Sequence, residues 1–148
     1  MTLYLDTSAL IKVYLNEVGG QLVRRAVVSD QVAWTCVIAY LEARSGFARA
    51  LRERRISPAD HARAAAHLES DWDSYAIVPV DLPLVRQASD LVDLHTRHGL
   101  RALDALQLAA ALQVAAGEPG AVTLVCFDRR LWRSARDEGF ECLPRAQP

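Results

Sequence analysis

Val122-Thr123-Leu124-Val125-Cys126-Phe127-Asp128 is the stretch that decides the fold class of this chain. The run is apolar apart from Thr123, rich in β-branched residues and stopped by an acid. It does not alternate with polar residues, so the strand it predicts is covered on both faces, as in a parallel sheet between helices. Downstream, Arg129 to Glu138 reads as a helix closed by Gly139, and Phe140 to Leu143 as a last strand. Upstream, Leu103 to Ala116 reads as a helix closed by Gly117, and Pro83 to His98 as another closed by Gly99. Ala76 to Val80 is a strand ended by Asp81. Ser57 suits an N-cap, with Pro58 opening a helix that runs to Ser74. Val37 to Arg55 is a long helix, and Gln31 to Thr35 a strand. Gln21 to Val28 and Ala9 to Leu15 are helices parted by Gly19-Gly20. Leu3-Tyr4-Leu5 is the first strand, followed by the cap-forming trio Asp6-Thr7-Ser8. Strands alternating with helices predict a three-layer α/β/α sandwich with a mainly parallel central sheet. Without a repeat, low-complexity segment or linker, 1–148 reads as a single domain.

The chain of 148 residues is long enough to bury a core without a disulfide or structural metal. Apolar residues at 51% and charged residues at 24% exclude a disordered chain, and a net charge of −1 excludes a binder that works by bulk basicity. Lys12 is the lone lysine among 17 basic residues, which reads first as a compositional habit. Cys36, Cys126 and Cys142 are odd in number and lack C-x-x-C spacing, as expected of reduced, buried thiols. Asp6 interrupts Met1-Thr2-Leu3-Tyr4-Leu5 too soon for a leader peptide. Asp104, Gln107 and Gln113 break the longest apolar stretch, so no membrane span is expected. Together these features predict a cytoplasmic protein. His61, His67, His95 and His98 lack zinc-like spacing and are expected mostly to face solvent, and Trp34, Trp72 and Trp132 to lie in the core or an interface.

Function in open parallel sheets gathers beyond the carboxyl ends of the strands. Asp6 ends the first strand and Asp128 ends the clearest later one, so if those strands adjoin, both carboxylates stand at one rim. Each Asp alone serves equally well as the cap of the helix that follows; the pair at equivalent strand ends favours function. Asp104 lies on a helix that is apolar all round, with Leu108, Ala111 and Ala115 along its own side. A bare carboxylate there is costly and calls for a metal ion or a cationic partner, although a first-turn acid also suits the helix dipole. Glu42 projects away from the apolar stripe expected on its helix, which is Tyr40, Phe47 and Leu51 beside Val37 and Ala43. By pattern alone it is a solvated surface residue. Arg44, Arg49, Arg52, Arg54 and Arg55 crowd one helix end, and Arg129, Arg130, Arg133 and Arg136 another. Most such residues are solvated, and Arg129-Arg130 beside Asp128 is the better pair for phosphate contact.

Four segments then appear in order: Tyr4-Leu5-Asp6-Thr7-Ser8-Ala9-Leu10, Tyr40-Leu41-Glu42-Ala43, Leu103-Asp104-Ala105-Leu106-Gln107-Leu108-Ala109-Ala110-Ala111 and Phe127-Asp128-Arg129-Arg130-Leu131. Together they resemble a PIN domain of the kind found in VapC-type ribonuclease toxins of bacterial toxin–antitoxin pairs, along nearly the whole chain. The resemblance implies that Asp6, Glu42, Asp104 and Asp128 bind metal, with Ser8 a polar support beside it. This raises Glu42 from surface residue to ligand. The family usually has Thr or Ser two residues before the last acid, where this chain has Cys126. A thiol is a poor substitute hydrogen-bonder, so Asp128 must be oriented by something else.

Carboxylates without clustered His or Cys select Mg²⁺ or Mn²⁺. Phosphodiester hydrolysis needs an activated water and a cation facing the phosphate, and such ions supply both. Asp104 or Glu42 would also orient the attacking water. Attack by water, not by the ribose 2′-hydroxyl, leaves 5′-phosphate and 3′-hydroxyl ends on cleaved RNA. The resemblance further implies a homodimer and a small antitoxin whose extended segment fills the cleft and offers Arg to the carboxylates. At least one clustered acid should have a raised pKa without metal. A receiver-type phosphoacceptor site lacks its late-strand Lys, and a dehalogenase-type phosphatase its D-x-D, since Thr7-Ser8 follow Asp6. The remaining alternative is a catalytically inactive PIN module that binds RNA or protein.

Overall fold

The structure, a computed structural model, describes residues 2–28 and 32–148. Its elements are β1 (Thr2–Leu5), α1 (Thr7–Tyr14), α2 (Gly20–Val28), β2 (Ala33–Cys36), α3 (Ile38–Arg52), α4 (Pro58–Asp71), β3 (Ala76–Val78), α5 (Leu82–Leu94), α6 (Ala102–Gly117), β4 (Val122–Val125), α7 (Arg129–Asp137) and β5 (Glu141–Leu143). The sheet runs β3-β2-β1-β4-β5 with every neighbouring pair parallel. The expected start of β2 at Gln31 lies outside the described residues.

Side chains alternate along each strand and feed two cores. Leu3, Leu5 and Val125 pack with Ala9, Leu10, Ala43, Phe47 and Leu68 from α1, α3 and α4. Tyr4, Leu124 and Cys126 pack with Leu91, Leu108, Ala111 and Leu131 from α5, α6 and α7. The result is the expected three-layer sandwich. Each fully buried leucine stabilises it by about 1.5–3 kcal/mol relative to exposure. Helix α6 touches α5, α7, β2 and β4, which is why its sequence is apolar on all sides. Among the described residues, no helix is long and apolar enough to cross a membrane.

Several boundaries differ from those read in the sequence, each for a local reason. The α5 helix stops at Leu94: Thr96 turns its hydroxyl onto the Asp93 carbonyl at 2.7 Å, and a 3-10 turn over Thr96–His98 ends at Gly99 with φ +66°. The α4 helix ends at Asp71 and passes into a 3-10 turn at Trp72–Ser74. Its start is as expected, with Ser57 and Asp60 forming a reciprocal capping box. The buried stripe of α3 is Ala39, Ala43, Phe47 and Ala50; Phe47 and Ala43 lie on it as expected, whereas Tyr40 and Leu51 do not. Tyr40 instead lies at its edge, packed edge-on against Trp72. Gly46, beside that stripe, lets α1 press close to α3: a Cβ there would lie 2.5 Å from Ile11 Cδ1.

Candidate active site at the carboxyl edge of the sheet

Strands β1 and β4 adjoin in register, with Leu5 beside Val125, so the residues that follow them leave the sheet together. Asp6 Oδ1 accepts from the Ala9 amide at 2.8 Å and caps α1. Asp128 Oδ1 accepts from the Arg130 and Leu131 amides at 2.9 and 3.1 Å and caps α7. Ser8 stitches the two junctions together. Its hydroxyl reaches both Asp6 oxygens, at 2.7 and 2.8 Å, and accepts from the Phe127 amide at 2.7 Å. Asp6 is only 3% exposed. Burial drives its pKa up to about 7 against the opposing Ala9 and Ser8 hydrogen bonds, and the Asp104 charge adds to the rise.

Asp104 stands half-buried in the first turn of α6. Arg101, just before that helix, donates from Nε to Asp104 Oδ2 at 2.8 Å and from Nη2 to Asp128 Oδ2 at 3.0 Å. One guanidinium therefore bridges the two acids. Burial still raises the Asp104 pKa, with Arg101 opposing and the Asp128 and Glu42 charges adding. Asp104 in turn holds the Arg101 proton more tightly than usual.

Glu42 is not a solvated surface residue. It flanks the buried stripe of α3, where the close approach of α1 brings Thr7 onto it. Its Oε1 accepts from Thr7 Oγ1 at 2.7 Å and from Gln107 Nε2 at 3.2 Å. Gln107 is 2% exposed; its Nε2 also reaches Thr7 Oγ1 at 3.0 Å, and its Oε1 accepts from the Tyr4 hydroxyl at 2.7 Å. Tyr4, Gln107, Thr7 and Glu42 thus form one network linking β1, α6, α1 and α3. Burial raises the Tyr4 pKa further, with the Asp6 and Glu42 charges contributing, so the phenol stays a donor.

The four acids share one electrostatic neighbourhood without closing into a tight cage. Among the described residues, no three of them bring ligand oxygens within 4.8 Å of one another. The donor set nevertheless fits a hard divalent ion. All four candidates are carboxylates, one is buried at an energetic cost, and two already share a cation.

The PIN domain family matches residues 3–137. This chain belongs to that family. Ribonuclease VapC45 of Mycobacterium tuberculosis is 34% identical to it over 141 residues, covering 95% of this chain and 94% of the relative. VapC20 of M. tuberculosis, described as a sarcin–ricin loop cleaving toxin, shares the fold at 19% identity and a TM-score of 0.67, over 99% of this chain and all, 100%, of the other. So does VapBC2 of Rickettsia felis, solved on a DNA fragment from its promoter, at 13% identity and a TM-score of 0.63, over 96% and 97% of the two chains.

In this PIN domain Cys126 is fully buried under the site, and burial drives its thiol pKa strongly up. Asp128 is oriented instead by two amides and Arg101. Arg129 reaches away to the Pro148 carbonyl at 2.7 Å, whereas the Arg130 side chain lies beside Gly99, in the segment leading to Arg101. Arg49 and Arg55 are engaged with Glu53, and Arg55 also with Glu17. Sequence reading missed Arg101, Thr7 and Gln107. Two signals were available: Arg101 sits three residues before Asp104, and Gln107, one of two amides in an otherwise apolar helix, sits three residues after it. The expectation of solvent-facing histidines fails for His95, which is 3% exposed and paired with Glu138.

Proposed function

We propose that this PIN domain, read as a single domain over residues 1–148, is a Mg²⁺- or Mn²⁺-dependent ribonuclease that acts in the cytoplasm as the toxin of a toxin–antitoxin pair. The observation that carries the reading is the meeting of Asp6 and Asp128 at adjoining strand ends, with Asp104 joined to Asp128 through Arg101. The 34% identity to a protein named a ribonuclease, over nearly its full length, supports the reaction class. An inactive binding module is not favoured, because all four carboxylates are present and supported by a hydrogen-bond network.

Asp6, Glu42, Asp104 and Asp128 would hold the ion. When bound, the ion supplies positive charge to the phosphate and eases deprotonation of the attacking water. Ser8 holds Asp6, while Thr7 and Gln107 hold Glu42, so that less reorganisation is needed on binding. Arg101, 58% exposed, is free to turn from the carboxylates toward a phosphate oxygen, with Arg130 beside it, and Arg129 follows at the start of α7. The same bridge supports an antitoxin that inserts an Arg, since a guanidinium fits between Asp104 and Asp128. The apolar residues Tyr40, Phe47 and Leu51 of α3 suggest a face for homodimerisation from the sequence, but Phe47 is fully buried and serves the core. Support comes instead from exposed Val37, Leu41, Leu82 and Leu103, carried at or near the starts of α3, α5 and α6.

The test is cleavage of a labelled RNA by purified protein. Activity should require Mg²⁺ or Mn²⁺ and leave 5′-phosphate and 3′-hydroxyl ends; full activity in excess chelator overturns the proposal. Sedimentation at tens of micromolar checks the dimer, on the order of ordinary dimer affinities.

A further inference from the structure

We propose that His95, His98 and Asp137 form a second metal site, separate from the carboxylates and suited to a borderline divalent ion of the Zn²⁺ class. His95 precedes the 3-10 turn after α5 and His98 is the last residue of that turn, while Asp137 is the last residue of α7. Among the described residues, theirs is the group of metal-ligating side chains whose ligand atoms all lie within 4.8 Å of one another. His98 Nε2 is 2.6 Å from Asp137 Oδ2, and His95 Nδ1 is 4.0 Å from that oxygen. Ligand atoms around a tetrahedral zinc lie roughly 3.3 Å apart, so side-chain shifts of about an ångström close the site.

Glu138 is the observation that turns this cluster from a salt-bridge network into a metal site. Its Oε1 lies 2.7 Å from His95 Nε2, on the opposite side of the ring from Asp137. A hydrogen bond donated by Nε2–H to this carboxylate favours the tautomer whose Nδ1 lone pair faces Asp137. A carboxylate behind a ligating imidazole is the usual support of such metals. His95 is buried at 3% exposure, which limits its freedom to take another orientation. Two imidazoles and a carboxylate favour Zn²⁺ over Mg²⁺, the reverse of the all-carboxylate site. Three protein ligands leave a fourth position for water.

Arg97 opposes the ion. Its Nη2 is 2.5 Å from Asp137 Oδ2, where it and His98 hold the Asp137 pKa down. Arg97 is 71% exposed, so it can leave for solvent when a dication takes its place. An occupied site would clamp the end of α7 to the turn that leads to Arg101.

The test titrates Zn²⁺, and Co²⁺ as a spectroscopic probe, into the full chain with millimolar Mg²⁺ present to occupy the carboxylates. One bound ion is expected, with a raised melting temperature and visible Co²⁺ bands of low coordination number. His98→Ala should weaken binding more than tenfold, and Glu138→Gln about tenfold. Exposed Arg97→Ala should tighten it and leaves the buried groups untouched. Asp128→Asn should leave it unchanged, which separates this site from the nuclease site even if RNA cleavage is never found. No Zn²⁺ binding under these conditions, or equal binding by wild type and His98→Ala, overturns the proposal.

Discussion

The β1–α1 and β4–α7 junctions use the same device, an Asp that ends a strand and caps a helix, yet they differ in exposure. Asp6 is sealed beneath its neighbours, whereas the Asp128 side chain keeps 25% of its surface open. In Asp128 the cap takes Oδ1 and leaves Oδ2 turned toward Arg101. Capping and cation binding are therefore not rival readings of a strand-end Asp; one oxygen serves each. What burial changes is the cost of the charge. Asp6 pays for its position with a pKa near 7, and an ion bound there would relieve that cost.

The largest expected effect removes either junction's charge. Asp6→Asn and Asp128→Asn should each lower RNA cleavage by about three orders of magnitude while the far-ultraviolet circular dichroism stays native. If one of the two retains near-wild-type activity, the junctions are not equivalent in function.

Asp6 should also govern the pH dependence of the metal-free protein. Its folded pKa of about 7 lies above the unfolded value, so folding disfavours its charged form. The stability it contributes is full below about pH 4 and is lost as pH rises to about 7, a change on the order of 4 kcal/mol. Asp6→Asn should flatten that decline in denaturant titrations at several pH values. An unchanged slope would mean that burial of Asp6 carries no such cost.

Ser8→Ala cuts the link between the junctions. It frees Asp6 from one hydrogen bond and leaves the Phe127 amide without its partner. Activity should fall about 10–100-fold and stability by about 1–3 kcal/mol; loss of stability alone would make Ser8 a purely structural stitch. Arg101→Ala is the mildest change. It removes the cation already shared by Asp104 and Asp128, so Mg²⁺ should bind several-fold more tightly by calorimetry. Weaker binding would mean that Arg101 organises the acids rather than competes for them.

The fold was legible because its strands carry continuous apolar runs and its helices carry caps and stops, as at Ser57-Pro58 and Gly139. Asp6, Asp104 and Asp128 were legible because a strand end and an all-apolar helix each make an acid conspicuous. Glu42 was not, since its surroundings come from α1 and α6, remote in sequence; only the family resemblance raised it. Arg101 was hidden among many arginines, and its role depends on a bridge to Asp128, 27 positions along the chain. The His95–Glu138 pair was invisible for the same reason, with 43 positions between its members.

Thermal melts of wild type and Asp104→Asn, each with and without Mg²⁺, test the central claim that these carboxylates hold a divalent ion. At a hundredfold the dissociation constant the ion should add about 2.7 kcal/mol, or about 5–10 °C in a domain of this size. Wild type should show that shift and Asp104→Asn should lose most of it, with the metal-free variant melting no lower than the metal-free wild type. Equal shifts in both proteins, or none in wild type, would contradict the account.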